Sequence, residues 1–290
     1  MANEISPAYI RTFQDNVRYL AQQNRSYLRP WVQEVSAKSA GHRWDRLAVG
    51  AAAVSQTINN HALRATPNAN TAFSGRLSTP KLYDTGNIVN LEEPEQMLID
   101  PNSAYLRSHA MTIARSFDAE IIAAATGTAK DQDGNNVAYD GNQSVGGATT
   151  AFSFDLITEV TEKFMSKDID PMEQRVFVIG PKQARRLLQM AEVTSGDYNA
   201  LRPLQSMGYV ENWMGYTWVV HNALTVPAGG QKYCLAFTKQ AIGLQVAKDY
   251  SVEMAKDPSQ SFAWRLYGSM LAGAVRVEDE HMVRVHVLDS

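Results

Sequence analysis

The chain has 290 residues, a net charge of -3, 20% charged and 44% hydrophobic side chains. These proportions describe a globular protein with a real core and exclude a disordered chain. The near-neutral balance excludes a strongly basic nucleic-acid binder, and the single cysteine, Cys234, excludes an intramolecular disulfide and suits a reducing compartment.

The start, MANEISPAYI, has no basic region leading into an apolar run, so it does not read as a signal peptide. No segment holds the roughly 18 apolar residues that a membrane helix requires. The protein is expected to be made in the cytoplasm with no membrane of its own. Residues 6–23 read as an amphipathic helix, with Ser6 as cap, Pro7 at the first position and Ile10, Phe13, Val17 and Leu20 on one face. Residues 24–56 have no sustained periodicity, and Pro30 breaks any helix there. Up to residue 64 the chain holds Arg11, Arg18, Arg25, Arg29, Lys38, Arg43, Arg46 and Arg64 against Glu4, Asp15, Glu34 and Asp45. That mild basic excess fits a solvated arm better than a DNA contact.

Residues 57–99 are rich in Asn, Thr and turn formers. Their sparse apolar residues (Phe73, Leu77, Leu82, Tyr83, Ile88 and Val89) suggest short strands around turns. Such a stretch builds no core of its own, and a long coreless segment inside a domain is usually functional. Next comes DPNSAYLRSHAMTIARSFDAEIIAAATG, residues 100–127. Asp100 is placed to cap a helix, Pro101 fits its first position, and Gly127 is expected to close it in the left-handed conformation. Leu106, Ala110, Ile113, Phe117, Ile121 and Ala124 recur at helical spacing. A helix of this length is a rod of roughly 39 Å.

Turns and short strands fill the region after Gly127. Ser153 is placed to cap a helix with Phe154, Ile157, Val160 and Phe164 on one face. RVFVIG (175–180) has the pattern of a buried strand, and Pro181 opens a helix carrying Ala184, Leu187, Leu188 and Ala191. GYTWVVHNALTV and QKYCLAF read as two strands of a hairpin about PAGG. YSVEMA, SFAWRLYGSMLAGAVRVE and HMVRVHVL read as closing strands, the middle one long enough to predict a bend at Gly268 or Gly273. Helices and strands interleave without regular βαβ spacing, so the fold class is α+β.

The search for chemistry yields little. DQDGNN (131–136) opens like a calcium loop, but positions six and twelve, which need Gly and Glu, are Asn136 and Asn142. His281 and His286 are an odd number apart and face opposite ways on a strand. His42, His61, His109 and His221 are scattered and read as structural or surface residues. No G-x-S-x-G, Walker A or G-x-G-x-x-G pattern occurs, IGPKQ (179–183) lacks a phosphate-wrapping loop, and Cys234 reads as a small buried apolar residue. No catalytic, cofactor-binding or metal-binding residue is assigned, and no enzyme is indicated.

The ordered series NVRYLAQQNRSYLRPWV, the rod DPNSAYLRSHAMTIARSFDAEIIAAATGTA, VIGPKQARRLLQ, TSGDYNALRPLQSMGYVENWMGYTWVVHNAL, AFTKQAIGLQVAKD and GAVRVEDEHMVRVHV resembles the major capsid proteins of tailed bacteriophages with the HK97 fold. Within them it is most similar to a family known as phage capsid protein. The resemblance runs along nearly the whole chain and rests on the series, with no single diagnostic motif. It implies an N-terminal arm (1–56), an extended loop lying over a neighbour (57–99), a peripheral domain with a spine helix (100–171 and 249–275) and an axial domain (172–248 and 276–290). It implies a virion shell of hexamers and pentamers assembled in the host bacterial cytoplasm. Its partners would be other copies, a portal protein, separate scaffolding and decoration proteins, and non-specifically held double-stranded DNA, with no membrane. No long helical pro-segment precedes the arm, so cleavage-driven maturation is not expected. Candidate intersubunit residues are Arg11, Arg18, Arg29, Trp31, Phe73, Arg76, Lys81, Tyr83, Arg107 and Arg115. Some shells of this fold are cross-linked through a loop lysine. Lys81 is the one candidate here, and non-covalent shells are expected. The rival readings are an encapsulin-like compartment and a soluble α+β enzyme.

Overall fold

The computed structural model describes residues 23–48, 71–89, 101–190, 211–260 and 262–289. The expected helix over 6–23 therefore lies, but for Gln23, outside the described residues, as do Asp100, Ala191 and the tip of the polar segment.

Two sheets organise the described chain. The first has the order β1-β12-β13-β4. It joins β1 (Gln33–Ser36), β4 (Lys81–Val89), β12 (Ile242–Asp257) and β13 (Ala263–Arg276). β12 and β13 form a long antiparallel ribbon, β1 lies parallel to β12 over Gly243–Val246, and β4 lies antiparallel to β13. The second sheet has the order β7-β14-β11-β8-β10-β9. Its strands are β7 (Ser144–Gly146), β8 (Arg175–Ile179), β9 (Asn212–Trp213), β10 (Tyr216–Val220), β11 (Gln231–Thr238) and β14 (Met282–Leu288). β8 is buried at every position, as its apolar run requires for a central strand.

That centrality overturns the hairpin expected about PAGG. β8 lies between β10 and β11, parallel to one and antiparallel to the other. The segment 221–230 is a crossover, because β8, buried at every position, takes the place between the two strands. β13 runs without a break through Gly268 and Gly273, and the register shifts of the ribbon fall on β12 between Val246 and Ser251. Gly273 serves a close approach instead: a Cβ there would sit 2.3 Å from the Thr79 carbonyl oxygen.

Three helices pack on these sheets: α1 (Pro101–Thr126), α2 (Phe154–Met165) and α3 (Pro181–Gln189). At 26 residues α1 is about 39 Å long. Its inward residues Ile113, Phe117, Ile121 and Ala125 step by four, which turns the stripe by about 40° each time. The stripe therefore leaves the expected face. Ala110 is exposed and Ala124 only half-buried, while Asp118 and Ile122 are buried. Gly127 is not left-handed. Its amide continues the helical bonding to Ala123, and its carbonyl accepts from the buried Arg276 at 2.7 Å. Ser153 stands at the α2 N-cap position but makes no side-chain capping bond. One continuous core runs from Leu28 through α1 and α2 to both sheets.

Candidate functional site

The polar residues of α1 tie other parts of the chain to it. Asp118 is fully buried and accepts five hydrogen bonds. Four come from the N-terminal segment: the Gln23 amide, the Ser26 hydroxyl, and the backbone N–H groups of Tyr27 (3.0 Å) and Leu28 (3.1 Å). The fifth comes from His221 Nε2 at 3.2 Å. His221 Nδ1 accepts from the Ala223 amide, which assigns the proton to Nε2 and makes that nitrogen the donor. Burial alone would raise the Asp118 pKa. The bonds from His221, Ser26, Tyr27 and Leu28 outweigh it and hold the carboxyl below its ordinary value. The segment then turns at Arg29–Trp31 and drives Leu28 and Val32 into the core.

Arg29 seals that docking. Its guanidinium lies 4.6 Å from the Phe117 ring centre and bonds Glu34 at 2.6 Å and Asp249 at 2.9 Å. The hydrogen bonds to Glu34 and Asp249 push its pKa above the ordinary range, and Arg29 in turn lowers that of Asp249.

β4 docks on another face of α1, through a residue two positions after Asp118. Glu120 is 5% exposed, receives Lys81 Nζ at 2.9 Å and accepts from the Tyr83 hydroxyl at 2.5 Å. Burial, helped by that bond, raises the Tyr83 pKa. His109 shares a 2.8 Å hydrogen bond with the Thr85 hydroxyl, its Nε2 is buried without a partner among the described residues, and burial lowers its pKa.

β2 (His42–Leu47) and β3 (Phe73–Ser78) form an antiparallel pair whose two strands lead into 48–72. Three contacts root this hairpin. Trp44 Nε1 donates to Ser78 Oγ at 3.1 Å, Ser78 donates to Gln245 at 2.9 Å, and Gln245 donates to the Ala37 carbonyl at 3.0 Å. Arg46 donates to the Val277 carbonyl at 3.0 Å. Arg76 bonds Asp279 at 2.6 Å, and Asp279 also holds Arg276. Burial lowers the Arg76 pKa against the opposing effect of Asp279, and Arg46 and Arg276 lower it further.

The expected 57–99 loop is thus divided. Residues 73–78 belong to the hairpin, whose other strand is 42–47, and 81–89 are an edge strand of the first sheet. Arg76 is 4% exposed and paired with Asp279 within its own protomer. Lys81 and Tyr83 share Glu120, Arg29 is clamped, and Trp31 packs partly against the core. Phe73 is 58% exposed with Arg43 near its ring. Arg107 is exposed, while Arg115 is half-buried and donates to Thr112. Arg11 and Arg18 lie outside the described residues.

Asp118, Glu120 and His221 were not singled out as attachment points. The available signal was two carboxylates set within an otherwise apolar stretch of helix, FDAEIIAAA. The residues weighed for chemistry have other partners. Asp131 holds its own turn, accepting from the amides of Asp133 and Asn135. His281 meets Thr238, and His286 meets Gln231. Cys234 is buried, and burial pushes its thiol up to about 12. Among the described residues no group of three His, Cys, Asp or Glu is placed to hold a metal ion, and no helix is long and apolar enough to cross a membrane.

The arrangement is a long helix with an N-terminal segment, a hairpin and an edge strand fastened to it or beside it. The sequence matches the family model for phage capsid protein over residues 5–289. The chain belongs to the phage capsid protein family. Its fold is that of solved phage capsids. A structure from Mycobacterium phage Che8 matches with a TM-score of 0.71 at 16% identity, covering 98% of each chain. The capsid of the cyanophage P-SCSP1u gives 0.70 at 17%, covering 97% of this chain and 94% of that one. The capsid of a native GTA particle gives 0.70 at 13%, covering 96% and 95%. At such identities the likeness speaks for fold alone, and that fold is HK97-like. No curated protein matches the sequence. As a phage capsid protein the chain is a structural, shell-forming major capsid protein located in the virion shell.

Proposed function

We propose that the protein closes an icosahedral shell of hexamers and pentamers around double-stranded DNA, acting without catalysis, and that assembly takes place in the host bacterial cytoplasm. The observation that carries this reading is the rod α1 with the arm and hairpin rooted beside it, in a chain of the capsid family. In this reading α1 and the β1-β12-β13-β4 sheet form the peripheral domain, and the six-stranded sheet with α2 and α3 forms the axial domain, which moves β7 and α2 out of the 100–171 peripheral span that the resemblance implies. The extended loop runs from β2 to β3. Arg11, Arg18, Arg29, Trp31, Phe73, Arg76, Lys81, Tyr83, Arg107 and Arg115 remain candidates for contacts with neighbours. A portal protein occupies one vertex, with separate scaffolding and decoration proteins as further partners. The family match favours the phage shell over the compartment and enzyme readings.

The DNA must enter and leave, so the shell should hold it without gripping it. A net charge of -3 suits that. Duplex DNA should bind isolated protein weakly and with strong salt dependence, while particles recovered from lysed host cells should protect a genome-length duplex from nuclease. Particles whose DNA is fully digested, or tight sequence-specific binding by the free protein, would contradict the proposal.

A further inference from the structure

One face of the six-stranded sheet carries a cation that is fixed in place yet has no counter-ion among the described residues. Arg284 of β14 stands half-buried beside Tyr233 of β11, and Tyr139 reaches it from just before β7. Its guanidinium lies 4.3 Å from the Tyr139 ring centre and 4.6 Å from that of Tyr233, so two aromatic rings hold it. Hydrogen bonds lock the stack. Arg284 Nε donates to Ser144 Oγ at 3.1 Å, the Arg284 amide donates to the Tyr139 hydroxyl at 2.9 Å, and that hydroxyl donates to the Gln143 carbonyl at 2.8 Å. The two terminal nitrogens are left over. Among the described residues Nη1 and Nη2 make no hydrogen bond or ion pair, and neither is sealed from solvent. Other arginines differ: Arg29, Arg43, Arg46, Arg76, Arg265 and Arg276 each meet a carboxylate. The acids close to Tyr139 are engaged elsewhere, Asp279 with Arg76 and Arg276, and Asp140 with the Asn142 amide. The Tyr233 hydroxyl also has no partner among the described residues and is open to solvent. His286, 5.0 Å from the Tyr233 ring, has its pKa lowered by burial and by Arg284, as a locally positive surface requires.

We propose that Arg284 is the fork of an oxyanion site, in which Nη1 and Nη2 take two oxygens of a phosphate group and the Tyr233 hydroxyl donates to a third. A guanidinium offers two parallel N–H groups that match a phosphate edge. The third donor favours a tetrahedral anion, because a carboxylate has only two oxygens to give. The rings and Ser144 already hold the fork in one orientation, so little ordering remains to be done on binding. The phosphate is either a free ion or a phosphodiester of duplex DNA. The DNA source rests on the shell-forming reading, whereas the site itself does not. A lone fork per chain would touch DNA without gripping it.

The test compares the purified full-length parent with Arg284→Lys, which keeps the cation but loses the fork, and Tyr233→Phe, which keeps the ring but loses the third donor. Inorganic phosphate is titrated calorimetrically, and a short DNA duplex by fluorescence anisotropy, both at fixed ionic strength. Thermal midpoints are taken without phosphate. The parent should bind phosphate saturably at one site per chain. Arg284→Lys should bind it about ten-fold more weakly, and Tyr233→Phe several-fold more weakly with a phosphate-free midpoint near the parent's. Weakening of phosphate and duplex binding together supports the site and makes DNA the source. Weakening of phosphate binding alone supports the site with the free ion as source. No saturable binding by the parent, or equal phosphate affinity in parent and variants, would overturn the proposal, and a lowered midpoint with unchanged affinity would show that the stack serves only the fold. Should Arg284→Lys fail to fold, Tyr233→Phe decides by the same comparison. None of these outcomes touches the shell reading, which stands or falls on whether the parent forms closed particles.

Discussion

Replacing Asp118 with asparagine preserves the side chain's size but turns one acceptor oxygen into a donor. The Tyr27 and Leu28 amides, the Ser26 hydroxyl and His221 cannot all then be satisfied. Buried groups left unpaired make Asp118→Asn destabilising by about 2–4 kcal/mol. The amides of 26–32 should lose hydrogen-exchange protection before the rest of the chain, and unchanged protection there would refute the role given to Asp118. The pH dependence has a definite sign. The folded Asp118 pKa is lowered, so its contribution is complete above the unfolded value near 3.9 and is lost as pH falls through the folded value. His109 and His286 are lowered by burial, with Arg284 adding to the effect at His286. The folded state then binds fewer protons than the unfolded one below about 6.5, so stability rises with pH through that window and levels off above it. Thermal midpoints measured against pH should fall toward acid in two stages, with His109→Gln shrinking the upper one. None of these partnerships was legible in the sequence. Asp118 and His221 are far apart along the chain, and a carboxylate on a helix reads as solvated until the arm is seen to cover it.

At the level of elements, the periodic segments were legible and their pairings were not. The rod, α2, β8, β13 and β14 stand where their patterns place them, because amphipathic spacing and apolar runs are local signals, while β12 starts at Ile242, well before the expected YSVEMA. The PAGG hairpin failed because pairing is decided by β8, which arrives from elsewhere in the chain. The glycines of β13 looked like bends, and at Gly273 the cause is another backbone pressing close. The polar segment looked uniform, although one part roots a hairpin through Arg76 and another joins a sheet through Lys81 and Tyr83. Phe117 tests the facing of the rod. It is 3% exposed, packs in the main core and lies under Arg29. Phe117→Ala should cost about 3–5 kcal/mol, seen as a lowered denaturant midpoint, and an unchanged midpoint would mean the helix faces another way.

For the whole molecule, the family was legible from the order of segments, none of which identifies it alone. What holds copies together is the part the single chain expresses least. Lys81 is ion-paired to Glu120 in its own protomer, so it has a role that needs no neighbour. Mature particles boiled in denaturant should run as one band near 32.1 kDa, and a ladder abolished by Lys81→Ala would show cross-linking through that lysine. The central claim is that this chain is a shell tile, stiffened by α1 and completed by its neighbours. Electron microscopy of the purified full-length protein tests it most directly. The account predicts uniform closed polyhedral particles whose reconstruction places α1 within the wall. Isolated monomers under every condition that supports folding would contradict it.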